Sequence, residues 1–187
     1  MGVPFKAIPS NFDEKLDDTR SPVAVAEELG LGKALDVAER FPEAIVIGSD
    51  TIVYVDGRQL EKPLDDDDAR ATLRHLSGKQ NTVVSSVAVV CKAAGIQLVG
   101  SQQTQVVFKP QDDAAIERYL ASGDHRDKAG SYGIQSGAHE LIEGYIGSYP
   151  NIIGLPTEPL ADFLAQLGIA TKPVHLEAPV PHIGTAR

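Results

Sequence analysis

Long apolar runs constrain the fold of this chain more than any other sequence feature. The segment EAIVIGSD, residues 43–50, is almost wholly apolar until it approaches Asp50, which is typical of a strand buried on both faces of a sheet. The segment from Asn81 to Lys109 contains two further long strands, joined by a turn at Ala94-Gly95. Strands of this kind need covering layers, so we expect helices against the sheet.

Segments with helical periodicity supply those layers. A helix is predicted over residues 21–41, where Ser21 can cap the first turn and Pro22 suits it, although Gly30 and Gly32 weaken its middle. Further helices are predicted at residues 64–78, 111–123 and 156–168. A short strand at residues 3–9, a hairpin over residues 51–61 with Asp56-Gly57 at its turn, and a strand-like segment at residues 139–149 complete the pattern.

The order of these segments predicts the fold class. Strands and helices alternate, while two pairs of adjacent strands favour antiparallel pairing, so we expect an α/β fold with a mixed, twisted sheet flanked by helices. Its 187 residues suit one main domain, which we place at residues 1–170. Residues 171–187 are rich in proline and lack periodicity, and we expect them to form a disordered or loosely packed tail.

Composition excludes several classes of function. A net charge of −9 argues against a nucleic-acid surface, because such surfaces need clustered lysine and arginine. No apolar run is long enough to span a bilayer, and the first residues do not resemble a secretory leader. The single cysteine, Cys91, excludes an intrachain disulfide and is expected in the core. These features predict a cytoplasmic protein that binds neither nucleic acid nor membranes.

Asp50 and Lys62 are the first candidates for chemistry. An aspartate directly after an apolar strand is expected at the strand's carboxyl end, where it could hold a divalent ion or take a proton from water. The hairpin then returns Lys62 towards the same end, which gives a minimal site for a metal-bound polyphosphate. Two simpler interpretations stay open, since Asp50 could be a turn residue and the pair could be a surface ion pair.

Other polar segments have simple structural explanations. The acidic run from Asp65 to Asp68 suits the free N–H groups and the dipole of a helix N-terminus better than it suits a metal. Glu14 and Lys33, taken alone, could be solvated surface residues. The segment DKAGSYGIQSGA, residues 127–138, has three glycines and predicts a loop whose backbone approaches a ligand closely, or an ordinary tight turn. None of the five histidines stands at ligand spacing from another.

Several ordered motifs resemble one known family. The segment GSDTIVYVDGRQLEKPLDDDDARATLRHLSGK resembles the core signature of the Maf family of nucleoside triphosphate pyrophosphatases. DKAGSYGIQ and IEGYIGSYPNIIGLP resemble its second signature, and PFKAIPSNFDEK with Lys33-Ala34 also fits. The resemblance extends from about Val3 to Gly168, and it implies the mixed sheet of the related inosine triphosphatase-like fold.

The resemblance implies an activity and a set of site residues. Hydrolysis of a nucleoside triphosphate to the monophosphate and pyrophosphate is expected, with a divalent cation, Mg²⁺ or Mn²⁺. Asp50 matches the family's proton acceptor, with Lys33 and Lys62 as further catalytic residues and Glu14 as a pocket residue. Asp50 and Glu14 would hold the metal. The substrate-binding residues implied are Glu14, Thr51, Lys62 and Gln135. Thr51 and Gln135 match positions linked to substrate choice, and Thr51 favours the branch that acts on dTTP and UTP.

The sequence also departs from the family pattern. Family members normally begin with a strand and a Ser-x-Ser-Pro-Arg-Arg segment, whereas this sequence begins at MGVPF, so we expect the first strand and helix of the fold to be missing. Asn81 stands where histidine is usual, and Ser136 where glycine is usual. A noncatalytic nucleotide-binding or division-linked protein is therefore the alternative function. A homodimer is left open.

Overall fold

The apolar runs form the strands of one six-stranded sheet, in the order β2-β1-β3-β4-β5-β6. A computed structural model describes residues 1–14 and 20–184. The pairs β1–β2 and β4–β5 are antiparallel and the pair β5–β6 is parallel, so the sheet is mixed as predicted. The strands are β1 (Val46–Val55), β2 (Arg58–Leu60), β3 (Gln80–Cys91), β4 (Ile96–Phe108), β5 (Ile142–Ile146) and β6 (His182–Gly184).

The helices begin at the caps that the sequence contains. Side-chain oxygens of Ser21, Asp65 and Asp112 accept hydrogen bonds from backbone N–H groups in the first turns of α1, α2 and α3. The first of these confirms the predicted cap of α1, and the second confirms the structural role of the acidic run. The helices are α1 (Pro22–Arg40), α2 (Asp66–Leu76), α3 (Asp113–Leu120), α4 (Tyr149–Ile152) and α5 (Thr157–Gln166). Sequence analysis did not predict α4, which is only one turn long.

The described chain forms two compact units. The first unit contains Met1–Thr51, Ser85–Gln102 and Gly154–Leu176, and the second contains Ile52–Val84, Gln103–Ile153 and Glu177–Arg187. In the first unit, apolar residues of α1 pack with Val46, Ala88 and Val90, and α5 packs with Val87 and Val89. In the second unit, one larger cluster joins α2 and α3 to the strands. Each unit therefore has its own apolar core.

Two glycines let α1 approach the strands of the first unit closely. A Cβ on Gly30 would lie 2.3 Å from Ser86 Oγ, and a Cβ on Gly48 would lie 2.4 Å from the carbonyl oxygen of Gly30. Both distances are shorter than real Cβ contacts, so a side chain at either position would force a neighbouring atom to move. Gly30 lowers the helix propensity of α1, but it also allows α1 to pack closely against Ser86.

Two sequence predictions about strands were wrong. The strand that was expected to end at Asp50 continues through Thr51 to Val55, so Asp50 lies within β1. A charge is tolerated there because a lysine of α1 neutralises it, as described below. The expected strand at residues 3–9 has no regular secondary structure. Pro4 and Pro9 lack the N–H groups that a ladder needs, and Phe5 is 90% exposed.

The segment after α5 has little regular structure until its end. Residues 171–180 form no helix or strand, whereas β6 pairs in parallel with β5, with Tyr145 opposite His182. The rings of these two residues lie 5.1 Å apart, and Val180 is buried beside them in the core of the second unit. Sequence analysis assigned no strand here, because three residues are too few to show a period.

Two further expectations concern Cys91 and membrane-spanning helices. Cys91 is buried at the end of β3, as predicted. Within residues 1–14 and 20–184, no helix is both long and apolar enough to cross a membrane.

We predict that Gly30→Ala destabilises the protein although alanine is the better helix former. Helix propensity alone would favour the variant by about 1 kcal/mol. The clash with Ser86 Oγ should reverse this sign and lower the free energy of unfolding by about 1–3 kcal/mol, as in other overpacked cores. Urea denaturation followed by circular dichroism measures the change.

The companion change Ser86→Gly removes the atom that clashes. The double variant Gly30→Ala/Ser86→Gly should therefore lose less stability than the sum of the two single variants. Additive losses, or a Gly30→Ala variant as stable as the wild type, would show that α1 does not depend on this close approach.

Candidate functional site

In the first unit, Lys33 joins two carboxylates that are distant in sequence. Its Nζ donates a hydrogen bond to Asp50 Oδ1 and lies 2.9 Å from Glu14 Oε1. The Asp50 side chain is only 12% exposed and that of Lys33 24%, whereas that of Glu14 is 53% exposed. The structure thus brings together three predicted site residues, of which Glu14 is the most exposed to solvent.

The environment of Lys33 favours its charged form. Partial burial by itself would lower the pKa of Lys33, but hydrogen bonds to Asp50 and Glu14 and the charges of these carboxylates outweigh it and raise the pKa above its ordinary value. Lys33 is therefore an ammonium ion at neutral pH. It supplies a positive charge beside two hard oxygen donors.

Glu14 reaches Lys33 because the preceding segment is fixed to α1. Asp36, one turn after Lys33, accepts hydrogen bonds from the backbone N–H of Asn11 at 2.9 Å and from the Ser10 hydroxyl at 3.3 Å. Arg40, one turn further, donates to Asp36 Oδ2 at 2.9 Å and to the carbonyl oxygen of Pro9 at 2.7 Å. Sequence analysis missed both residues, although their helical spacing from Lys33 was a usable signal.

Gly32 provides the remaining space for this segment. A Cβ on Gly32 would lie 2.3 Å from the Phe12 ring, so the ring lies directly on the helix backbone. Gly30 and Gly32, which lower the helix propensity of α1, therefore allow two separate close contacts of the helix backbone. One brings the helix to Asp50 on its strand, and the other brings the Glu14 segment to the helix.

Serine and glycine neighbours fix the backbone around Asp50. The Asp50 N–H donates to Ser86 Oγ at 3.3 Å, and Ser86 Oγ in turn donates to the carbonyl oxygen of Ala26 at 2.6 Å. The Ser49 hydroxyl lies 2.6 Å from the carbonyl oxygen of Ser86 and 2.7 Å from that of Gly154. These bonds tie β1 to β3 and to α1 on either side of Asp50.

Thr51 has a hydroxyl partner of its own. Its Oγ1 lies 2.7 Å from the hydroxyl of the fully buried Ser85, and either oxygen can donate. Gly154, at φ +100°, faces the same hydroxyl, and a Cβ there would lie 3.4 Å from Thr51 Oγ1. Sequence analysis did not single out Ser85 or Ser86, although adjacent serines inside an apolar run were a signal.

The second unit contains Lys62 and Gln135. Lys62 is exposed and follows β2, whose Leu60 pairs with Val53. The neighbouring carbonyl oxygen of Glu61 accepts a hydrogen bond from the Gly130 N–H at 3.1 Å, which fixes the chain beside Lys62 to the glycine-rich loop. The predicted Asp56-Gly57 hairpin is present, since Val55 pairs with Arg58 across the turn, and Lys62 follows its returning strand.

Gln135 lies at the tip of the glycine-rich loop. It is exposed, and its side chain shares a hydrogen bond with the hydroxyl of Tyr149, whose pKa burial raises above its ordinary value. The backbone at Gly130, at φ +73°, lies against Val53 and Tyr132. The buried Tyr132 hydroxyl donates to Asn81 Oδ1 at 2.9 Å, so the asparagine that departs from the family pattern anchors this loop.

The carboxylate oxygens of this cluster are the groups that could contribute to a metal site. Within residues 1–14 and 20–184, no group of three or more His, Cys, Asp or Glu side chains could hold a metal. Glu14 and Asp50 nevertheless present two carboxylates around one ammonium. Mg²⁺ is usually bound in this way, through one or two carboxylates together with water and substrate phosphates.

Comparisons with known proteins identify the family of this chain. A family model described as "Maf-like protein" matches residues 1–167. A dTTP/UTP pyrophosphatase of Dictyoglomus thermophilum is 41% identical over 169 residues, which cover 90% of this chain and 88% of the relative. Two relatives with the same name, from Pelotomaculum thermopropionicum and Symbiobacterium thermophilum, are 39% and 40% identical; each alignment covers 90% of this chain, with 88% and 86% of the relatives. This chain belongs to the Maf family.

Proposed function

We propose that this protein is a nucleoside triphosphate pyrophosphatase that hydrolyses dTTP and UTP to the monophosphate and pyrophosphate. The observation that carries the proposal is the position of Lys33 between Glu14 and Asp50, in a chain whose relatives are named dTTP/UTP pyrophosphatases. A charged lysine beside two carboxylates suits a polyanionic substrate that arrives with a cation.

The reaction needs an activated water and a leaving group. Water attacks the α-phosphorus, the bond from that phosphorus to the oxygen bridging to the β-phosphorus breaks, and pyrophosphate leaves with the electron pair. Asp50 orients the attacking water and accepts its proton. Its low exposure and its fixed backbone suit this role, because a general base must be held within hydrogen-bond reach of the proton it takes.

Two residues are proposed as metal ligands. Glu14 and Asp50 would hold Mg²⁺ or Mn²⁺ together with phosphate oxygens of the substrate. That cation would supply positive charge against the charge that builds up on the phosphate oxygens. Lys33 contributes a second positive charge beside both carboxylates, and its raised pKa keeps that charge in place at neutral pH.

Three further residues would contact the nucleotide. The ammonium group of Lys62 would bind phosphate oxygens as a point charge. Thr51, with its hydroxyl paired to Ser85, and Gln135, with its carboxamide paired to Tyr149, would select the base. We place the reaction in the cytoplasm, where a lone reduced cysteine such as Cys91 is ordinary.

A nucleotide panel tests the proposal directly. Pyrophosphate release is measured for dTTP, UTP, CTP, ATP and GTP with Mg²⁺, and dTTP and UTP should react fastest. Addition of a chelator should abolish release, and Mg²⁺ or Mn²⁺ should restore it. Binding of UTP without any release would instead support the noncatalytic alternative.

We predict that Asp50→Asn lowers kcat by roughly 10²-fold or more, because the amide cannot accept the proton of water. The fold should persist, since asparagine keeps the shape of the side chain. Steady-state pyrophosphate release measures the loss. Asp162→Asn, which changes an exposed aspartate of α5, is the matched control and should leave kcat unchanged. Wild-type turnover in Asp50→Asn would refute the assignment.

We predict that Lys62→Ala weakens triphosphate binding and lowers kcat/KM for UTP by about 10-fold, the effect of removing roughly one exposed charge contact. KM and kcat are determined separately over a range of UTP concentrations. The control Lys92→Ala removes an exposed lysine that pairs with Glu39 in the first unit. Equal kinetics in the two variants would make Lys62 a surface residue without function.

We predict that Glu14→Gln lowers the pKa of Lys33 towards its ordinary value, because one of its two carboxylate partners loses its charge. A folded-state pKa that is raised contributes stability below it, and that stability is lost as pH rises through it. NMR titration of the Lys33 Cε resonance at alkaline pH measures the shift. Glu39→Gln is the control, and a Lys33 titration identical in both variants would contradict the contact.

A further inference from the structure

The tip of the glycine-rich loop is held by a ring of hydrogen bonds in the second unit. The Gly133 N–H donates to the Tyr119 hydroxyl at 3.0 Å, and that hydroxyl donates to Asp124 Oδ2 at 2.9 Å. The Ser136 hydroxyl donates to the same oxygen at 2.5 Å. Gln135 lies between the two anchored residues, so both sides of its backbone are fixed to one carboxylate.

Asp124 is suited to accept all of these bonds. Partial burial by itself would raise the pKa of Asp124, but hydrogen bonds from Ser136, Lys128 and Tyr119 outweigh it and keep the pKa below its ordinary value. Lys128 Nζ lies 3.1 Å from Asp124 Oδ1. Burial raises the pKa of Tyr119, so its hydroxyl keeps the proton that it donates. At neutral pH the centre of the ring is therefore a carboxylate.

The loop backbone lies directly on this cluster. A Cβ on Gly133 would lie 2.6 Å from Lys128 Cε, 2.7 Å from Asp124 Oδ2 and 2.7 Å from Ser136 Oγ. The sequence left open whether these glycines allow close approach to a ligand or form an ordinary tight turn. At Gly133 the close neighbours are residues of the chain itself, which means that the loop has little freedom to move towards Asp124.

Gln135 is the exposed residue between these anchors, and its carboxamide also shares a hydrogen bond with the Tyr149 hydroxyl. Its carboxamide offers both a donor and an acceptor, the complement of a carbonyl oxygen beside an N–H group on a uracil or thymine base. Cytosine presents the opposite pattern. A carboxamide can discriminate between these bases only if its position is fixed, since a displacement of about 1 Å can cost roughly 10²-fold in rate.

We propose that Asp124 is a positioning residue that sets the nucleotide selectivity of Gln135 through Tyr119, Gly133 and Ser136. The inference rests on the proposed function. It gives the ring a role beyond stability, because a loosened loop would lose preference for UTP over CTP rather than lose turnover of every nucleotide equally.

The test compares Asp124→Asn with Asp127→Asn. Asp127 also pairs with Lys128, at 2.8 Å, so the control removes a charge from the same lysine. The ratio of kcat/KM for UTP to that for CTP should fall roughly 10- to 100-fold in Asp124→Asn and stay unchanged in Asp127→Asn. Ser136→Ala removes one donor from an exposed position and should produce a smaller fall in the same direction.

A double variant separates positioning from stability. If Asp124 acts through Gln135, Asp124→Asn should not lower the ratio further in a Gln135→Ala background. An equal loss for UTP and CTP, an unchanged ratio in Asp124→Asn, or additive losses in the double variant would each overturn the inference. Thermal unfolding of every variant identifies any that fails to fold, in which case Ser136→Ala decides the outcome.

A readout without turnover keeps the two proposals distinct. If the wild type releases no pyrophosphate from any nucleotide, the proposed function fails. The position of Gln135 is then judged by the NMR resonances of its side-chain amide and by hydrogen exchange at the Gly133 N–H. Both should change in Asp124→Asn and not in Asp127→Asn, and unchanged spectra would overturn the role of Asp124.

Discussion

The contact of Lys33 with Asp50 and Glu14 is the interaction on which the rest of the first unit depends. A carboxylate within β1 that had no partner would cost several kcal/mol, because the interior cannot solvate it as water does. Lys33 removes that cost only if α1 lies close to the strand. Gly30 and Gly48 supply the closeness, and Ser86 then bonds the helix backbone and the Asp50 N–H together. The Lys33–Asp50 pair therefore favours small residues where α1 and β1 are closest, at Gly30 and Gly48.

The same requirement explains features that look unfavourable in isolation. Two glycines in the middle of a helix lower its propensity, and an aspartate within an apolar strand lowers the tendency to be buried. The glycines of α1 and Asp50 lie close to the charged groups of the first unit. The glycines allow contacts with Ser86 and Phe12, and Asp50 pairs with Lys33. Local preferences and the final structure disagree most at such places in proteins, because the residues there serve a site as well as the fold.

In the second unit, hydrogen bonds from polar side chains hold the loop that carries Gln135. A loop that presents an exposed glutamine needs anchors that do not occupy the exposed side. Tyr119, Asp124 and Ser136 bond the loop from one side, and Asn81 bonds Tyr132 from another. Asn81 and Ser136 are the two positions that depart from the family pattern, and both side chains take part in this anchoring. The departures are therefore integrated into the hydrogen-bonding network of this chain.

The sequence by itself determined the four longer helices, the caps of α1 and α2, the mixed sheet and the family, because caps, periodicity and motifs are local properties. It also predicted Glu14, Lys33 and Asp50 through the family resemblance, and the structure brings these three together. Only the tertiary structure decided that β1 continues through Asp50, since a local pattern cannot tell a neutralised charge from a solvated one. Asp124 likewise escaped prediction, because an aspartate becomes an anchor only through partners that folding brings to it.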